Sequence, residues 1–161
     1  MKSRIKRIEI GLIILVILTI INTTYNFLNY KSKTTTEKEK VALPKQLNRE
    51  LLNKTTFKIK DYYNNSNWSN LYNIFGEFAK AQINTEDVIK EFKKLSSLTG
   101  YIGTYAYSHY TYLGNENDAD WFDVYYKCSF SNGNGTIKIR YRVVEPEDFE
   151  IVGLNINLDE I

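Results

Sequence analysis

The sequence predicts an α+β fold: a transmembrane helix, then three helices packed on a curved four-stranded antiparallel sheet. Two changes of pattern carry that reading. Apolar residues recur about every fourth position before Gly100 and every second position after it. The stretch WFDVYYKCSFSNGNGTIKIRYRVV, residues 121–144, reads as two strands joined by a Gly/Asn-rich turn. Phe122, Val124, Tyr126, Cys128 and Phe130 alternate with Trp121, Asp123, Tyr125, Lys127 and Ser129, placing one apolar set on one face. Ile137, Ile139, Tyr141 and Val143 do the same in the second run, and Gly133 or Gly135 supplies the positive φ of the return.

At the N-terminus, Lys2, Arg4, Lys6 and Arg7 belong to a basic arm, residues 1–9. From Ile10 to Ile21 only Gly11 and Thr19 interrupt large apolar residues. Continued to Leu28, the run gives about 28 Å of helix, enough to cross a bilayer. Tyr25 and Tyr30 suit an interfacial belt, so residues 10–30 read as one transmembrane helix. A cleaved signal peptide and a buried core helix are the rival readings. No small-x-small cleavage pattern follows the apolar run, which favours an uncleaved anchor. The basic cluster ahead of the span places the domain outside the cytoplasmic membrane, although five lysines follow between Lys31 and Lys45.

Residues 31–43, with the polar run SKTTTEKEK, form a tether. The soluble domain then occupies residues 44–161. Pro44 opens a helix whose stripe is Leu47, Leu51, Thr55, Ile59 and Tyr63, and NNSN at 64–67 ends it. A second helix carries Trp68, Leu71, Tyr72 and Phe75 and stops near Gly76. Asn84 or Thr85 caps a third, with Val88, Phe92, Leu95 and Leu98 inward and Thr99-Gly100 at its end. Tyr101, Gly103, Tyr105, Tyr107 and His109 share one parity of the next strand, and Ile102, Thr104, Ala106, Tyr110 and Tyr112 the other. GNENDAD at 114–120 reads as a loop, EPED at 145–148 as a turn, and Val152, Leu154, Ile156 and Leu158 as one face of the last strand.

Charge excludes one class of function. Residues 1–31 hold five basic residues and one acid, leaving the remainder at −2. Outside the N-terminal arm there is no basic stripe, so nucleic acid is not an expected partner. The lipid bilayer is, through residues 10–28.

Three pieces carry a resemblance: DYYNNSNWSNLYNIFGEF at 61–78, INTEDVIKEFKKLSSLTG at 83–100, and the closing aromatic hairpins. With three helices ahead of four strands, residues 44–160 resemble the small NTF2-like or cystatin-like cone domains of bacterial envelope proteins. The resemblance implies a helix-covered sheet and, in many relatives, a small-molecule pocket inside the cone that is catalytic in only some. This chain departs from the enzymatic members in offering no interior Asp/His pair.

His109 shares a parity with Tyr105 and Tyr107 and is a candidate base; its bland reading is an ordinary strand residue. Glu116, Asp118, Asp120 and Asp123 invite a hard cation, but without the spacing of a calcium loop they read first as a solvated turn. Cys128, alone, reads as a small buried hydrophobe. Trp121 and Tyr125 offer an aromatic sheet face to a protein partner. No catalytic, cofactor-binding or metal residue is assigned. The expectation is a membrane-anchored envelope domain that binds a protein or small ligand without catalysis. The alternatives are a pocket enzyme of the same fold, and an assembly component or toxin-immunity protein.

Overall fold

Asn48, rather than Pro44, starts the first helix. In the computed structural model, which describes residues 41–144 and 148–159, Pro44 precedes a 3₁₀ turn, Lys45–Leu47. Asn48 is extended at φ −70°, ψ 166°, and its side chain accepts from Leu51 N, capping helix α1, Arg49–Asn64. The buried positions of α1 are Leu52, Thr56, Ile59 and Tyr63. Leu51 and Thr55, expected inside, are half-buried. A strict spacing of four drifts about 40° per step around a helix of 3.6 residues per turn, so the five-member stripe cannot stay on one face.

Helix α2, Trp68–Asn73, ends three residues before Gly76. There the chain meets the sheet: Phe75 bridges Ile151 in parallel, and Gly76 N donates to Ile151 O. A Cβ on Gly76 would run into the Glu150 side chain, so glycine permits the close approach. A fourth helix follows, α3, Glu77–Lys80, which the sequence reading does not contain. Asn84 caps α4, Thr85–Thr99, and Gly100 at φ 71° leaves it. Leu98, expected in the α4 stripe, is 58% exposed. Thr99 turns inward instead, its hydroxyl 2.8 Å from that of Tyr63.

Four antiparallel strands follow in spatial order β1-β2-β3-β4: β1, Ile102–Glu116; β2, Ala119–Phe130; β3, Gly133–Val144; and β4, Asp148–Leu158. Among the described residues the fold is α+β, with four α-helices and a four-stranded antiparallel sheet. The expected loop at 114–120 is a two-residue turn. Both strands run on to Asn117 and Asp118, which sit at φ 52° and 56°, a conformation that short polar side chains tolerate. Ser131 and Asn132 turn the second hairpin, and Gly133 takes the positive φ, at 149°.

Bulges revise the parity of both edge strands. In β4 the register shifts at Val152, so Ile151, Leu154 and Ile156 lie opposite the core residues Tyr141, Ile139 and Ile137. In β1 it shifts between Ile102 and Tyr105, between Tyr107 and His109, and between Tyr112 and Gly114. One core joins Leu52, Ile59, Tyr63, Leu71 and Phe92 to Phe122, Tyr126, Ile139 and Tyr141 of the sheet. Cys128 lies in it, and burial pushes its thiol up to about 11.

The chain divides between Lys40 and Val41 into two units, and the described residues belong to the second. No helix among them is long and apolar enough to cross a membrane. The span expected at residues 10–28 lies outside the described residues, as do Glu145, Pro146 and Glu147 of the expected EPED turn.

Candidate interaction surface

The bulge at Ser108 separates His109 from its expected companions. Tyr107 pairs with Tyr126, which is fully buried on the inner face, whereas His109 pairs with Tyr125 on the outer face. His109 is therefore not in a pocket with Tyr105 and Tyr107. Its ring lies flat on Tyr125, centroids 4.4 Å apart and planes within 6°, and the Ser108 hydroxyl is 3.1 Å from Nδ1. Among the described residues no carboxylate is hydrogen-bonded to the imidazole. Burial, then the Asp123 charge, raises the Tyr125 phenol above its ordinary value.

The four acids are also dispersed. Glu116 and Asp118 are exposed at the first hairpin turn. Asp120 accepts from Tyr112 Oη and from Asn115, both at 2.9 Å. Asp123, 2% exposed on the outer face, takes Arg140 side-on through Nε at 2.7 Å and a terminal nitrogen at 2.9 Å. Lys138 adds an ion pair at 3.6 Å. That hydrogen bond holds the Arg140 guanidinium above its ordinary pKa despite burial. Among the described residues no group of three metal-ligating side chains comes together.

Trp121 and Tyr125, expected to face a partner, are half-buried on the outer face. Phe78 of α3 meets Trp121 edge-on at 5.6 Å, and Trp121 Nε1 donates to Glu116 O at 3.3 Å. Arg142 lies 4.8 Å over Phe78 while holding Glu150 at 2.8 Å, and Glu150 in turn accepts from Phe78 N. Helix α3 thus folds over the outer face and covers its aromatic end.

A different aromatic surface stays open, along the seam between α1 and β1. The first and second bulges turn Tyr105, Tyr107, Tyr110 and Tyr112 all to the inner face, opposite Cys128, Tyr126, Val124 and Phe122. Their inner edges reach the core: Tyr105 and Tyr107 contact Tyr126 at 6.2 and 6.1 Å, and Tyr112 contacts Phe122 at 5.2 Å. All four remain half-buried, because β1 is the sheet edge and α1 covers it incompletely. Arg49 stands 5.6 Å over the Tyr107 ring and Lys60 5.9 Å over Tyr105, while Lys60 also bonds the Gly103 carbonyl. Asn64 binds both the amide and the carbonyl of Ile102, and Tyr110 Oη donates to Val41 O at 3.0 Å. Burial, then Tyr110, raises the Tyr107 phenol, and Arg49 offsets part of the rise.

Phe57, also on α1, is 62% exposed; helical spacing sets it about 80° from Arg49 and about 60° from Lys60, toward the solvent side of the helix. The sequence reading passed over it; the available signal was a large apolar side chain off the buried stripe. Two open clefts lie elsewhere. One, of about 420 Å³, has walls that include Leu51, Lys54, Lys58, Tyr62 and Phe149; the other, of about 370 Å³, lies beside Asp120 and Val143. Between sheet and helices, Phe122, Tyr126 and Tyr141 fill the space where many of the cone domains the chain resembles hold a pocket. Burial drives the Tyr141 phenol far above its ordinary range; its hydroxyl makes no full hydrogen bond, and Thr55 offsets only part of the effect.

These features define an α+β domain with a side-chain-filled interior and an open aromatic edge. No family model matches the chain, and no curated protein matches it. Among solved structures, Bdellovibrio bacteriovorus Bd1075 overlays at a TM-score of 0.41 with 15% identity, over 70% of this chain and 41% of that one. The chain spans less than half the length of that protein, and so loose an overlay carries no functional argument.

Proposed function

We propose that this chain is a membrane-anchored bacterial envelope protein whose NTF2-like or cystatin-like domain binds a protein partner without catalysis. The observation that carries the proposal is the α1–β1 seam. Tyr105, Tyr107, Tyr110 and Tyr112, half-buried and rimmed by Arg49 and Lys60, line it beside a packed interior, and Phe57 stands exposed on the same helix. Aromatic side chains and arginine are the groups that dominate protein interfaces, because they bury much area at little entropic cost. The placement of His109 outside, stacked rather than hydrogen-bonded to an acid, argues against the pocket-enzyme alternative.

Anchoring through residues 10–28 would hold this surface at the extracytoplasmic side of the inner membrane. The test is co-purification from native membranes at native expression. A partner should be retained by the unaltered chain and by Trp121→Leu, and lost from Phe57→Ser and Tyr107→Ser at equal membrane levels. Retention by both seam variants would overturn the proposal.

A further inference from the structure

Among the described residues no strand pairs with the outer edge of β1, and that edge is self-complementary. Its partner edge, β4, is shielded where Phe75 and Gly76 attach to Ile151. On β1 Asn64 occupies Ile102 and Lys60 the Gly103 carbonyl, and farther along the Tyr110 hydroxyl reaches Val41 O. From Thr104 to Asn115 the strand has no Lys, Arg, Asp, Glu or Pro, the residues that ordinarily blunt an edge. A free strand edge presents backbone donors and acceptors that another strand can satisfy.

The order of side chains says which strand. Residues 105–112 read Tyr-Ala-Tyr-Ser-His-Tyr-Thr-Tyr, with Tyr105 and Tyr107 mirrored by Tyr112 and Tyr110 about the Ser108–His109 bond. The bulge at that centre puts all four rings on one face, so the mirror relation is spatial as well as sequential. An antiparallel copy centred there would set Tyr105 against Tyr112 of its partner and Tyr107 against Tyr110 of its partner, inner face beside inner face. Such cross-strand aromatic pairs are favourable in antiparallel sheets.

Charge agrees with the same register. Lys60 stands at the Gly103–Tyr105 end, whereas Glu116 and Asp120 stand at the Tyr112 end. A two-fold axis brings each basic end to the acidic end of its partner, twice. In a parallel pairing, like charges would meet. A two-fold interface of this kind is isologous, using one patch on both chains.

We infer that the occupant of the α1–β1 seam is a second copy of this chain, joined edge to edge through β1 into a continuous eight-stranded sheet. The inference rests on the reading of the seam as a contact surface and names what it contacts. The tyrosines of both copies then line one groove between the two α1 helices.

Disulfide trapping in native membranes tests it on the full chain. Cys128 is buried, so single cysteines can be introduced without removing it. Ser108→Cys and His109→Cys, at the axis, are expected to give an oxidised dimer of twice the chain mass. Lys93→Cys, exposed on α4, is expected to give none. In the Ser108→Cys background, Lys60→Glu or Glu116→Lys alone should lower the dimer several-fold, and the two together should restore it. Absence of dimer at both axis positions, in folded protein, overturns the inference. If Phe57→Ser nonetheless releases a partner of different mass, the seam remains a binding surface and only the second copy is excluded. Equal trapping at Lys93 would mark random collision and also overturn it.

Discussion

His109 lies flat against Tyr125 on the outer face, 4.4 Å from ring to ring, one bulge away from the tyrosines it follows in sequence. The contact gives the histidine a structural explanation that needs no chemistry. Replacing His109 with Ala removes one stacked pair at an exposed strand position, which costs at most about 1 kcal/mol. Partner capture should be unchanged, since backbone and inner-face rings form the seam. Thermal unfolding alongside capture checks both halves. Loss of capture at unchanged stability would return His109 to the functional site.

The Asp123–Arg140 pair is the most consequential electrostatic contact. Asp123→Asn leaves Arg140 and Lys138 without their counter-ion on a partly exposed face. A fully buried pair would cost 3–5 kcal/mol to break in this way. The two cations keep 22% and 31% exposure, so about 2 kcal/mol is expected. Urea unfolding measures it, and a change below about 0.5 kcal/mol would contradict the role given to the pair.

Alkaline pH should destabilise the domain. The Cys128 thiol ionises at about 11 in the fold against an ordinary 9.0, and Tyr63, Tyr126 and Tyr141 are raised above 10.0. In each case burial comes first among the causes, so the folded state holds protons that the unfolded state releases. Between these ordinary values and the raised ones the unfolded chain binds fewer protons, and stability falls as pH rises. Unfolding free energies that stay flat from pH 8 to pH 11 would be inconsistent with this burial.

Much of this fold was legible in the chain, and the misses have identifiable causes. Period-two alternation in residues 121–144 gave both strands of the central hairpin, and the glycine expected at positive φ is Gly133. At the edges periodicity failed, because a bulge inserts one residue and reverses every later side chain. Ser108 did this to His109, and Val152 to Ile151. Helix α3 left no signal, being four residues fixed by Glu150 and Trp121, which are distant in sequence. The candidate surface was half legible. Tyr105 and Tyr107 were found, but Tyr110 and Tyr112 joined them only through the bulge.

Gly133 gives the hairpin a mutational handle. Its φ of 149° is one that a β-branched residue adopts only under strain. Gly133→Val should therefore cost about 1 kcal/mol or more. Gly133→Ala should cost less, and chemical denaturation of the two variants orders them.

Anchoring has its own check. Chain carrying residues 1–31 should stay in the membrane fraction through a carbonate wash, because apolar transfer does not depend on salt or pH. Deleting those residues should release folded, soluble protein, since the domain core begins at Leu47. Release of the intact chain by carbonate would contradict the anchor.

The most direct measurement of the central claim is site-specific photo-cross-linking in intact membranes, with the reactive group placed at Phe57, Tyr125 or Lys93. The expected result is a discrete protein adduct from position 57, which is exposed on α1. Positions 125 and 93, on the outer face and on α4, should give none. Adducts from position 125 with none from position 57 would contradict the assignment of the α1–β1 seam as the binding surface.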